Sequence, residues 1–92
     1  MPYHITAYTF KQAKKHGLQV KPARQQTKKI DVFRRGKKVA SVGAYGMNDY
    51  PTYIKTRGRA YARKRRTLYK MRHEKDRHIK NSNGWFADKL LW

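Results

Sequence analysis

The 92 residues carry 24 Lys and Arg against 5 Asp and Glu, for a formal net charge of +19 and a pI near 10.7, and they include no cysteine. That composition excludes disulfide stapling and thiolate metal sites. No apolar stretch approaches the roughly 18 residues of a membrane span, and no hydrophobic leader core follows Met1, so a soluble chain not secreted by a signal peptide is expected.

Seven Tyr, three Phe and two Trp argue against a wholly disordered polycation. Large aliphatic residues are sparse, so the core is expected to be small. One basic domain spanning 1–92 is expected, with 1–28 forming an N-terminal helix and connector and 29–92 a hairpin plus helical core. Self-repulsion at this charge disfavours a compact state, which points to a polyanionic partner that neutralises it.

Residues 6–16 predict a short helix, with Thr6 as N-cap, basic residues in the last turn and Gly17 as the stop. Ala7, Phe10 and Ala13 form its expected contact stripe. Residues 18–22 read as extended, and the basic, glutamine-containing stretch that follows has no periodic signal. The β-branched runs 29–33 and 38–42 flank Arg34-Arg35-Gly36-Lys37, which reads as a hairpin turn with Gly36 at positive φ. Ile30 and Val32 share one face of that hairpin, and its tip carries Arg34, Arg35, Lys37 and Lys38.

Gly43, Gly46 and Asn48 mark a loop. Asp49 followed by Pro51 resembles a capped helix start, with a short helical turn through Tyr53 and Ile54 and a break or bend at Gly58. A long helix is predicted over 59–79. On it Arg59, Arg63, Arg66, Lys70, His73 and Arg77, spaced 4, 3, 4, 3 and 4, fall on one face. The row would be roughly 27 Å long, a better match to a polymer of regularly spaced phosphates than to a small substrate. Ala60, Tyr61, Leu68, Met71, His78 and Ile79 form the expected apolar seam. After the turn cluster Asn81-Ser82-Asn83-Gly84, Asn83 is placed as the cap of a last helix whose Phe86, Leu90 and Trp92 close the core.

Five acidic residues are thin material for catalysis. His73 and His78 stand five apart, so they do not share a helical face as two metal ligands four apart would. Glu74 and Asp76 are read instead as helix-supporting partners, Glu74 for Lys70 and His78 and Asp76 for Arg72 and Lys80. Among the tyrosines, Tyr69 lies off the apolar seam beside Arg65, Arg66 and Lys70, and is the candidate for stacking on a base. Gly43-Ala44-Tyr45-Gly46 lacks the lysine and spacing of a phosphate-cradling loop, so no nucleotide cofactor is expected, and the histidine spacing and sparse carboxylates lead to no expectation of a metal.

Residues 29–92 resemble an uncharacterised group of small basic proteins encoded by large double-stranded DNA viruses of algae and amoebae. The resemblance lies in KIDVF, GKKVASVG, DYPTYI, RRTLYKMRHEKD and ADKLLW. It implies a viral protein, carried in the particle or acting on the genome in the host nucleus, and it transfers no functional residues.

These readings combine into an α+β expectation: a β-hairpin packed on a long basic helix, with short N- and C-terminal helices. The expected function is non-enzymatic, sequence-nonspecific binding of nucleic acid through phosphates, with DNA placed ahead of RNA and genome packaging or condensation as one use. Two alternatives stand beside it: a virion or assembly protein that binds acidic protein partners, and a ribosome-like RNA-binding protein. Neither a membrane nor a small-molecule substrate is expected.

Overall fold

A computed structural model describes residues 3–92 as four helices and one sheet. Helix α1 (Ala7–Lys15) starts where Thr6 Oγ1 accepts from the Thr9 amide, which satisfies one of the helix's free donors. Strands β1 (Gln19–Pro22), β2 (Lys28–Arg34) and β3 (Lys37–Ala44) form an antiparallel sheet in the order β1-β2-β3. Arg35 and Gly36 turn the hairpin, both at positive φ (52° and 79°), the backbone of the tight two-residue turn that matches strand twist. A bulge between Val32 and Phe33 shifts the register, so that Val32 faces Ala40 but Phe33 faces Lys38.

One face of the sheet supplies Val20, Ile30, Val32, Ala40 and Val42 to the core. Helices α1 and α4 (Asn83–Leu91) pack on the sheet and on each other, and Phe86, Leu90, Leu91 and Trp92 complete the cluster. Helices α2 (Tyr50–Arg57) and α3 (Arg59–Arg72) pack together, joined by Gly58 at φ 88° and ψ 167°, a conformation essentially restricted to glycine. Asp49 caps α2, accepting from the Thr52 amide at 3.1 Å.

The architecture is α+β, as expected, with four differences of detail. First, the extended stretch before the hairpin is a third strand, and the sheet rests on α1 and α4, whereas the basic helix rests on α2. Second, α1 turns Thr9 and Ala13 inward and leaves Phe10 51 % exposed, because the Thr9 hydroxyl donates to the Leu90 carbonyl at 2.9 Å. Third, Ser82 rather than Asn83 caps α4, its Oγ accepting from the Trp85 amide.

The fourth difference is the largest. No rod runs from 59 to 79: α3 stops at Arg72, His73 is its C-cap, and turns carry the chain to α4. None of residues 72–76 is Gly or Pro, so tertiary contacts set the stop. A Cβ built on Gly84, at the start of α4, would lie 2.8 Å from Asp76 Cβ and 3.2 Å from its carbonyl carbon, so α4 begins hard against this segment. The returning Arg77 reaches Glu74 at 2.7 Å and Asp88 at 3.9 Å.

The expected seam of α3 is also reversed. Met71 is 70 % exposed, Ile79 59 % and Leu68 39 %, while Ala62 and Tyr69 are buried. Here α3 meets aromatic rings, and arginines sit over them: Arg66 over Tyr50 at 4.7 Å, Arg65 over Tyr53 at 5.6 Å, and Arg57 of α2 over Tyr61 at 4.8 Å. Cation–π contact thus takes the place of an aliphatic stripe along much of this seam.

Candidate nucleic-acid interface

The distribution of the few carboxylates decides which cations face outward uncompensated. Asp49 is buried and takes Lys29 Nζ at 3.0 Å, the Tyr3 hydroxyl at 2.7 Å and the Thr52 amide. Burial raises its pKa, but the Lys29 charge and these hydrogen bonds outweigh that and hold its carboxyl below the usual range. The Tyr3 phenol is pushed up, first by burial and then by the Asp49 carboxylate it serves.

Asp31, also buried, accepts from Ser41 Oγ at 2.6 Å and the Arg24 amide at 3.3 Å, with Lys38 Nζ 3.5 Å away. Burial raises its pKa, and the Ser41, Arg24 and Lys38 contacts together leave it lowered. Asp88, buried in α4, gathers Lys70 at 2.6 Å, Lys89 at 3.7 Å and Arg77 at 3.9 Å. On the surface Glu74 pairs with Arg77 and His78, each at 2.7 Å, and Asp76 approaches His73 at 3.9 Å. The expected partners Lys70, Arg72 and Lys80 are not used by Glu74 and Asp76, because the helix on which those spacings counted has already ended.

Only Lys29, Lys38, Lys70, Arg77 and Lys89 of the 24 basic residues lie within 4.0 Å of a carboxylate among the described residues, which leaves nineteen without one. The predicted row is therefore divided. Arg59 and Arg63 are exposed on α3, and Arg66 is half-buried on Tyr50 with its Nε buried and unpartnered in the protein. Lys70 is tied to Asp88, His73 caps the helix against Tyr69, and Arg77 lies beyond it in an ion-paired turn. The helical members of the row sit about 80° around α3 from the buried seam, on a shoulder rather than at the crest.

At the hairpin tip Arg35 and Lys37 are exposed and free of carboxylates among the described residues; Lys38 leans on Asp31, and Arg34 bonds to Asn81 Oδ1 at 2.8 Å and covers the Phe86 ring. Tyr69 corrects the stacking expectation. It is 8 % exposed, lies 4.3 Å from Trp92 in a nearly parallel stack, and its phenol is pushed up to about 12 by burial and then by Asp88 and Asp76. Its ring belongs to the interior and offers no free face at the surface.

Cations outside the row also face outward: exposed Lys55, Arg57 and Lys64 around the α2–α3 elbow, and Arg72 at the far end of α3. A signal for part of this was available, since Tyr53, Arg57, Tyr61 and Arg65 recur every fourth residue. Stacked guanidiniums lose side-chain freedom before any ligand arrives, yet keep N–H edges for phosphate oxygens. Among the described residues no three of His, Asp and Glu gather to hold a metal ion, and no helix is long and apolar enough to cross a membrane.

Comparisons with protein-family models, curated proteins and solved structures returned no match.

Proposed function

We propose that this protein binds nucleic acid without catalysing a reaction on it, with duplex DNA as the principal ligand, through phosphate contacts of little sequence preference. The observation that carries the reading is the group of nineteen basic residues with no carboxylate within 4.0 Å among the described residues, on a body of only 36 × 31 × 24 Å. With no straight rod of charge, the contacts divide between the α2–α3 elbow (Lys55, Arg57, Arg59, Arg63, Lys64) and the hairpin tip (Arg35, Lys37). Lys11, Lys14 and Lys15 on α1 supply a further exposed group. Cations on several elements suit a bridge between neighbouring strand segments, the action required for condensation, and the viral resemblance of 29–92 makes a packaged genome the natural substrate.

Fluorescence anisotropy of labelled duplex as salt is raised tests this. With six to ten phosphates neutralised, affinity falls by about three to five decades between 50 and 200 mM salt, and a titration flat in salt rejects the proposal. Competition at fixed ionic strength by duplex DNA, folded RNA and an acidic polypeptide separates DNA binding from a ribonucleoprotein role and from assembly on acidic protein surfaces.

A further inference from the structure

Between the start of β2, the β3–α2 loop, α3 and α4 lies a cleft of about 590 Å³, a size typical of small-ligand sites. One wall is an aromatic column. Tyr69 and Trp92 stack at 4.3 Å with an 8° angle between their planes, His73 continues the column 4.3 Å from Tyr69, and Tyr53 leans on Trp92 at 6.2 Å. Lys28, Arg65 and Arg72 also line the cleft, and among the described residues none of the three has a carboxylate within 4.0 Å. The carboxylate in the lining, Asp76, faces His73. Arg65 is laid over Tyr53, and its Nε is buried without a hydrogen-bond partner in the protein.

A purely apolar occupant would bury these cations without counter-charge, and a bare anion would leave the aromatic wall unused. A molecule that joins a flat ring to a phosphate satisfies both. We propose that the cleft takes one unstacked nucleotide unit of a nucleic-acid strand, its base against the half-buried His73 and Tyr53 of the aromatic wall and its phosphate on Lys28, Arg65 and Arg72. This rests on the nucleic-acid reading above and adds to it a preference for ends and single-stranded stretches, where a base can leave the stack.

The test is residue-resolved NMR of the full chain titrated with 5′-AMP, adenosine and inorganic phosphate at equal ionic strength, beside anisotropy with blunt duplex and with duplex bearing a single-stranded overhang. Shifts should concentrate at Gly43, Arg72, Gly84 and the Trp92 indole, and 5′-AMP should bind about tenfold tighter than either fragment. The overhang should likewise improve duplex affinity about tenfold. Lys28→Gln with Arg72→Gln should weaken 5′-AMP about tenfold, while the charge-matched pair Lys21→Gln with Arg24→Gln, exposed and outside the cleft, changes it less than about twofold. Phosphate binding as tightly as 5′-AMP, shifts scattered over the surface, or equal losses in the two pairs would overturn the proposal. Salt-sensitive duplex binding with unmoved cleft signals removes the cleft and leaves the general reading intact. Specific 5′-AMP binding beside a flat salt titration removes the strand as the source of the nucleotide.

Discussion

Asp49→Asn removes the charge of one buried pair while keeping the helix cap. Asn caps helices as well as Asp does, and its one carbonyl oxygen can keep the Thr52 amide, while its NH2 replaces the oxygen that takes Lys29 and the Tyr3 hydroxyl; that hydroxyl can then turn to accept from it. Lys29, whose side chain is 4 % exposed and whose ammonium sits 3.0 Å from Asp49, is then left buried without a counter-ion. Breaking such a pair from one side costs about 3–5 kcal/mol, against a total stability of roughly 5–14 kcal/mol for a chain this long. At the lower end of that loss, the urea midpoint followed by circular dichroism should fall by about 1–3 M. Lys29→Met combined with Asp49→Asn removes both charges and should lie closer to the parent than Asp49→Asn alone. An unchanged midpoint in the single variant, or a double variant as unstable as the summed singles, would refute the reasoning.

The same carboxylates set the direction of the pH response. Asp31 and Asp49 have folded pKa values below their unfolded ones, so in acid the unfolded chain takes up their protons first. Stability is full above the ordinary carboxylate pKa and declines as pH falls from there through the folded values; thermal melts at stepped pH should show this slope, reduced in Asp49→Asn. Replacing Arg59, Arg63 and Lys64 with Gln should lower the magnitude of the salt slope of duplex binding by about 2.7 at nearly unchanged stability. Lys70→Gln with Arg77→Gln, which strips Asp88 of two partners, should instead act chiefly on the melting temperature. Gly58→Ala should cost about 1–3 kcal/mol in denaturant titration, since alanine does not tolerate φ 88° with ψ 167°. Tyr69→Ala should cost about 3–5 kcal/mol by the same measurement, in line with an aromatic removed from the core.

What could be read from the sequence was whatever a few neighbouring residues decide. The Thr6 and Asp49 caps, the Arg35-Gly36 turn, the bend at Gly58 and the apolar ending at Phe86, Leu90 and Trp92 all carry their signal locally. The end of α3 does not, because Gly84 and Asp88, well downstream, determine where the chain must turn back. The inward face of α3 was misassigned for a related reason: hydropathy ranks Leu68 and Met71 above arginine, but the neighbouring surface is a set of tyrosine rings on which arginine packs well. The interface followed the same division. The hairpin tip was visible from its turn, whereas the loss of Lys70 and Arg77 to Asp88 depends on a contact between different elements. The aromatic cleft was hidden too, since its walls come from segments spread over 28–92.

If a polyanion cancels the protein's charge, as proposed above, the outer edges of the sheet decide what happens next. Free in solution, copies at +19 repel one another; crowded along such a polymer they would lose that protection, and an open strand edge would then invite cross-β growth. Both edges are ill-suited to it. β1 is four residues long and ends at Pro22, while β3 is kinked where Val39 has no opposite residue in β2. Backbone shape, which salt and phosphate leave unchanged, would keep the densely gathered molecules separate where electrostatics no longer can.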